Sequence, residues 1–154
     1  MAFGPAQAVY TGLGDINLIS VTSASPLTTG TLFTFTGSIE IVRISGRVST
    51  VIQSQATTVK LSVQPDAQTA VDICATKDVN AFAAGSLLEI TGTAAGAMVG
   101  TTAVAVRAPA TQIAVITTTC VTSGIITVTY GAASTGAIVW EMAWRRLSAG
   151  ATVT

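Results

Sequence analysis

The sequence predicts an all-β fold, an antiparallel β-sandwich resembling a jelly roll, with one short helix and an extended N-terminal arm. Thr, Val and Ile supply over a third of the 154 residues, and β-branched side chains lose less freedom on a strand than in a helix. Several segments alternate apolar and polar residues with a period of two, and turn residues separate them. Such regularly spaced strands are typical of two packed sheets.

The first 30 residues are predicted to form the arm, and residues 31–154 the β-sandwich domain. Glycine and proline interrupt the arm, and the apolar pieces between them are short. A disordered tail is the alternative, but such tails carry more charge and fewer apolar residues. We therefore expect the arm to lie on a surface, such as that of a neighbouring subunit. The side chains expected to make this contact are Phe3, Val9, Tyr10, Leu13 and Ile16.

Residues 40–52 show the first clear strand pattern. Val42, Ile44, Val48 and Ile52 share one parity, and the other parity is polar or charged. Gly46 lies on the apolar parity and marks a candidate β-bulge.

A hairpin is predicted directly after this strand. Residues 57–64 direct Val59, Leu61 and Val63 inward, and Pro65-Asp66 supplies the turn. Residues 70–75 then return with Val71 and Ile73 on the buried face.

The short helix is predicted over residues 76–85. Thr76 is a suitable N-cap, Asp78 is acidic in the first turn, and Gly85 can end the helix. Its expected role is to close one end of the sandwich.

The remainder of the chain is predicted to be strands and loops. Strands are expected at residues 86–91, 104–107 (an edge strand), 112–118 and 125–130, with a loop of small residues around 92–100. In the strand 125–130, Ile126, Val128 and Tyr130 share one parity. In the last strand, Ile138, Trp140, Met142 and Trp144 share one face, which predicts a hydrophobic face inside the sandwich or at a subunit contact.

Several function classes are disfavoured by composition. The chain has no histidine, which excludes Ser-His-Asp and Cys-His catalysis and histidine-ligated zinc. Its carboxylates are scattered singly, and no nucleotide or calcium motif occurs, so we predict no enzyme, no metal site and no cofactor. Seven basic and seven acidic groups cancel, which argues against binding nucleic acid.

The cysteines and the termini indicate a protein made in the cytoplasm. The chain begins without a secretory signal pattern, and the uncharged stretch 108–140 is broken by hydroxyl and glycine residues, so no membrane span is expected. Cys74 and Cys120 are expected to be free thiols, with a single disulfide as the alternative.

The sparse charge predicts a surface that is covered by other molecules. Charged residues are 9% of the chain, so Thr, Ser, Ala and Gly must form much of the exterior, with little repulsion between copies. This favours a homo-oligomer. Trp140 and Trp144 can be interpreted as a glycan platform, but a role in the hydrophobic face, inside the sandwich or at a subunit contact, is favoured. Candidate interface residues in the sandwich are Arg43, Arg47, Trp144, Arg145 and Arg146. Arg43 and Arg47 project from one strand face, and Glu40, Glu89 or Glu141 are candidate partners for them, either across strands or across subunits.

Three segments resemble small virion proteins of tailed bacteriophages, over roughly residues 36–151. They are Val71-Asp72-Ile73-Cys74-Ala75-Thr76-Lys77-Asp78-Val79-Asn80, Gly85-Ser86-Leu87-Leu88-Glu89-Ile90-Thr91-Gly92-Thr93, and a late segment in two parts, Ser134-Thr135-Gly136-Ala137-Ile138-Val139-Trp140 and Leu147-Ser148-Ala149-Gly150-Ala151. These are framework pieces of a sandwich and contain no catalytic signature.

The resemblance implies a capsid decoration, or cement, protein. Such a protein is expected to be a homotrimer on the capsid exterior, made in the host bacterial cytoplasm, that stabilises the phage head through contacts with the major capsid protein. The alternative is a receptor- or glycan-binding module of a phage tail fibre or spike, with the two tryptophans or the 92–100 loop as its binding surface. Neither function calls for nucleic acid or a membrane as partner.

Overall fold

The fold is a β-sandwich, described by a computed structural model over residues 15–23, 25–90, 98–101, 118–120 and 122–154. Within these ranges the secondary structure is strands and turns, without a helix. The strands form two antiparallel sheets that pack against each other around one core. The predicted all-β class and sandwich architecture are therefore confirmed.

Each sheet contains six of the described strands. Sheet 1 consists of β1 (Ile16–Ser23), β3 (Ile39–Thr50), β7 (Leu87–Glu89), β8 (Val99–Thr101), β9 (Thr118–Cys120) and β11 (Ala137–Arg146). Sheet 2 consists of β2 (Gly30–Thr36), β4 (Thr58–Pro65), β5 (Val71–Asp72), β6 (Lys77–Asp78), β10 (Gly124–Tyr130) and β12 (Thr152–Val153). The spatial order is β1-β11-β3-β7-β8 in sheet 1, with β9 also on β3, and β12-β2-β10-β4-β5 in sheet 2, with β6 also on β4.

The core lies between the sheets and is built from alternating side chains. On β11, the four residues predicted to share a face, Ile138, Trp140, Met142 and Trp144, are all buried. Opposite them, β10 and β4 contribute paired rows in which Ile126 faces Val63 and Val128 faces Leu61. Period-two alternation therefore predicted the buried face of these three strands correctly.

The face of β3 differs from the predicted one because of a β-bulge at Val42. Trp144 pairs with Ile41 and Ala143 pairs with Arg43, which leaves Val42 as an extra residue. The extra residue changes which residues face the core: odd-numbered residues such as Ile41 are buried before the bulge, and even-numbered residues such as Ile44 are buried after it. The prediction that Val42 belongs to the core was wrong, since it is only half-buried.

Gly46, the predicted bulge position, is instead regularly paired between Trp140 and Leu88. A Cβ atom at residue 46 would lie 2.8 and 2.9 Å from two atoms of the Trp140 ring. Glycine is required here because the indole lies directly over the backbone of β3.

The predicted helix over residues 76–85 was wrong. Lys77 and Asp78 form β6 on β4, and turns follow. The backbone N–H of Asn80 donates to Asp78 Oδ1 at 2.9 Å, a local bond that competes with the first helical turn. Ala81 then has a φ of 55°, which a right-handed helix does not allow.

The predicted hairpin is confirmed except for one side chain. Val59, Leu61 and Val63 are buried, a turn follows Pro65, and Ile73 is buried. Val71, however, is 57% exposed because β5 is a two-residue strand at the edge of sheet 2.

The first 30 residues, which were predicted to form the arm, contain a strand. Residues 16–23 form β1, which pairs with β11 of the same chain over eight residues without a register shift. The first 14 residues lie outside the described ranges, as do the predicted edge strand 104–107, the strand 112–117 and most of the 92–100 loop.

Candidate functional site

The outer face of sheet 1 carries the densest set of candidate interface side chains. Because the even-numbered residues of β11 enter the core, Val139, Glu141, Ala143 and Arg145 point outward. Strand pairing continues this face onto β1 and β3. The outer face of sheet 1 comprises Ile16, Leu18, Ser20, Thr22, Glu40, Arg43, Ser45, Arg47, Leu87, Glu89, Val139, Glu141, Ala143 and Arg145.

Charges of both signs are interspersed on this face. Three arginines and three glutamates lie there, so the face has no net charge. Arg145 Nη1 donates to Glu40 Oε2 at 3.3 Å, across the β11–β3 pair. Within one chain, Glu40 therefore pairs with Arg145 and not with Arg43 or Arg47. A half-exposed ion pair of this kind contributes little stability.

A depression lies beside β1 on the same face. It measures about 190 Å³ and is lined by Leu18, Ile19, Ser20, Arg43 and Glu141. Its wall therefore combines two apolar residues, one hydroxyl and two opposite charges. Arg43, a predicted interface residue, belongs to this depression, whereas Arg47 is exposed farther along β3.

Strand β1 contributes the most exposed apolar side chains of the face. Leu18 is 74% exposed and Ile16 is 55% exposed. Ile16 was predicted as an interface residue, and Leu18 was not singled out. The alternation on β1 was the available signal, since Ile16, Leu18 and Ser20 share a parity.

The other predicted interface residues are distributed differently. Trp144 is only 5% exposed and belongs to the core, where the Arg146 guanidinium lies 5.9 Å from its ring centre. Phe3, Val9, Tyr10 and Leu13 lie outside the described residues. Trp140 is fully buried, so the two tryptophans do not form an exposed platform for a sugar.

The outer face of sheet 2 is nearly uncharged and rich in hydroxyl groups. It is formed by the outward side chains of β2, β10 and β4, among them Thr34, Thr127 and Ser62. One ion pair, between Lys60 Nζ and Asp72 Oδ2 at 3.0 Å, lies at its β5 side. Within the described ranges, the outer face of sheet 1 thus carries more charged side chains than the outer face of sheet 2.

Within the described ranges, no cluster of three or more His, Cys, Asp or Glu residues has the arrangement of a metal site. No helix with the length and apolarity of a membrane span occurs in the same ranges.

Cys74 is a buried free thiol. Burial raises the pKa of the Cys74 thiol above its ordinary value, and the hydrogen bond from the Leu61 backbone N–H to Sγ, at 3.3 Å, opposes this only in part. The neutral thiol is therefore the form compatible with the fold.

We expect Cys74 to react with a thiol reagent such as dithionitrobenzoate at pH 8 only when the chain unfolds. The measurement uses the Cys120→Ser variant, so that one thiol is reported. Because burial raises the pKa of the Cys74 thiol in the folded state, ionisation of this thiol disfavours the fold. The stability associated with the neutral thiol is therefore complete below its unfolded-state pKa, and it is lost as pH rises through its folded-state pKa. Equal labelling rates in buffer and in guanidinium chloride would contradict the burial of this thiol.

Comparison with known proteins identifies no relative: no family model, no curated protein and no solved structure matches the chain.

Proposed function

We propose that this protein is a capsid decoration protein of a tailed bacteriophage, which binds the exterior of the head through the major capsid protein. The virion assignment rests on the resemblance of three segments to small phage virion proteins. In the fold these segments include β5, β6, β7 and the start of β11, so the resemblance concerns the framework of the sandwich. The surface chemistry of sheet 1 supports the assembly role independently of that resemblance.

The observation that carries the proposal is the outer face of sheet 1. It combines exposed Ile16 and Leu18 with arginines and glutamates whose charges cancel. A surface with no net charge is not repelled by a partner of either sign, and its separate charges can still fix orientation. Each contact is weak, but symmetry repeats it many times on a shell, and the repeated contacts add avidity.

We further propose that the sandwich is a jelly roll. The chain alternates between sheets from β1 to β4 and again from β10 to β12. In sheet 1, β11 lies between β1 and β3, and in sheet 2, β10 lies between β2 and β4. This interleaving of early and late strands supports two Greek keys wound together. The assembled protein is proposed to be a homo-oligomer, with the trimer that the resemblance implies.

Electron microscopy of phage particles made with and without this protein tests the proposal. We expect extra density on the outer surface of the head, and earlier loss of DNA on heating when the protein is absent. Density at the tail, or inside the shell, contradicts a decoration role.

The charge on sheet 1 gives a sharper test. We expect Arg47→Glu to weaken binding to undecorated capsids by about tenfold, because it reverses an exposed charge on the proposed contact face. The matched control is Lys60→Glu, which reverses a charge on the outer face of sheet 2. Cosedimentation with capsids measures both variants. Equal weakening by both substitutions would show that sheet 1 is not the face that contacts the shell.

A further inference from the structure

The free edge of β1 is a second surface with the properties of an interface. β1 lies at the end of sheet 1 and pairs with β11 on one side only, as far as the described residues show. Alternate residues of an antiparallel edge strand direct their backbone N–H and C=O groups away from the sheet. Such a row of unpaired groups is a template for another strand.

β1 lacks the features that usually block edge pairing. Its sequence, Ile-Asn-Leu-Ile-Ser-Val-Thr-Ser, contains no charge, no proline and no glycine. The pairing with β11 proceeds through eight consecutive residues without a bulge, so the strand is not bent away from a neighbour. Edge strands of soluble proteins normally carry at least one of these protections.

The side chains of β1 also favour an added strand. Leu18 is the most exposed of the large apolar residues in the described structure, and Ile16 lies two residues away on the same face. The depression lined by Leu18, Ser20 and Glu141 adjoins them and offers room for an apolar side chain from a partner. Burial of this strip against another β-strand would remove apolar surface from water.

We propose that two copies of this chain pair through β1 in antiparallel fashion, about a two-fold axis at Leu18. In this arrangement Leu18 faces the partner's Leu18, and Ile16 faces the partner's Ser20. The two copies of sheet 1 become one continuous sheet across the axis. A two-fold contact of this kind is self-complementary, because both copies present the same patch.

Charge placement favours this register through a long-range attraction that acts at low ionic strength. Arg145 lies beside Ile16 on β11, and Glu141 lies beside Ser20. When Ile16 faces the partner's Ser20, Arg145 shares a row with the partner's Glu141, about 14 Å away across three strand spacings. The symmetric contact repeats this attraction. A shift that centres the axis on Ile19 loses this attraction and places Arg145 in the row of the partner's Arg47, which has the same sign and lies about 19 Å away across four strand spacings.

The pairing goes beyond the proposed decoration role and does not require it. It covers Ile16 and Leu18 on β1, and the part of the outer face on β3 and β7, with Arg47, stays available for shell binding. The test uses purified full-length protein without phage particles, so failure of the pairing and failure of the decoration role are separate results.

Light scattering and native mass spectrometry test the stoichiometry. We expect the wild type to have twice the mass of the 15.5 kDa chain, or an even multiple of the chain mass. Leu18→Lys is expected to halve that mass, because two ammonium groups then meet at the axis. The control Val71→Lys places the same charge on the exposed edge strand of sheet 2 and should leave the mass unchanged. Circular dichroism should show the wild-type fold in both variants.

Cross-linking tests the register. Leu18→Cys should give a disulfide-linked dimer under mild oxidation, because directly opposed residues of an antiparallel pair lie within disulfide range. Thr22→Cys, with the same native cysteines, should remain uncross-linked, since Thr22 lies away from the axis. A wild type of one chain or of three chains, a mass unaffected by Leu18→Lys, or equal cross-linking at residues 18 and 22 overturns the proposal.

Discussion

Replacement of Trp140 by alanine is expected to lower the free energy of unfolding by about 3–5 kcal/mol. Trp140 is the largest fully buried side chain of the core, and its ring covers Gly46 on the neighbouring strand. Its removal deletes apolar contacts with both sheets and leaves a cavity that the rigid strands cannot close. A domain of this kind has roughly 5–15 kcal/mol of stability in total, so the variant should be marginal.

Guanidinium unfolding followed by tryptophan fluorescence and circular dichroism measures this effect. Val51→Ala is the control, since Val51 is exposed and its truncation should change stability by no more than about 0.5 kcal/mol. The interpretation of Trp140 as a core residue, and not a sugar-binding one, depends on this contrast. A folded Trp140→Ala variant with wild-type stability would contradict it.

Replacement of Gly46 by alanine is expected to destabilise the protein by about 1–3 kcal/mol. This direction is opposite to the usual one, because glycine within a strand is ordinarily less favourable than alanine. The added methyl group would lie 2.8 Å from the Trp140 ring and 3.1 Å from Ile138 Cγ2, so the indole must move within a filled core. Gly30→Ala is the matched control, because a Cβ atom there meets nothing within 4 Å.

A double-mutant cycle identifies the cause of the Gly46 effect. In a Trp140→Leu background the ring is gone, and Gly46→Ala should then cost little or become favourable. Denaturant midpoints of the four proteins give the coupling energy, which we expect to be about 1–3 kcal/mol for two residues in direct contact. An unchanged cost of Gly46→Ala without the ring would mean that the backbone of β3, and not Trp140, requires glycine.

The candidate site could be predicted from the sequence only in part. The scarcity of charge indicated a surface suited to contacts, and Arg43 and Ile16 do lie near the depression and the edge of sheet 1. Leu18 was not predicted, because its importance comes from the position of β1 at the end of the sheet. Trp144 was predicted both as a core residue and as an interface candidate, and its burial shows that it belongs to the core.

The misassigned segment 76–85 shows where local patterns fail. Thr76, Asp78 and Gly85 have the composition of a capped helix, yet Lys77 and Asp78 pair with β4. The same carboxylate that can favour the start of a helix can also bond to a nearby backbone N–H, as it does to Asn80. The segment forms a strand and not a helix because Lys77 and Asp78 pair with β4, some 20 residues earlier in the chain. The residues of the segment itself do not specify that pairing.

By itself the sequence determined the all-β class and the buried faces of β4, β10 and β11, because side chains alternate across a strand and the apolar half must be buried. Only the tertiary structure decided the bulge at Val42, the glycine beneath Trp140, the pairing of β1 with β11 and the late strand β12 on β2. These features depend on residues far apart in the chain meeting side by side. Alternation specifies which side of a strand is buried, but not which strand lies next to it.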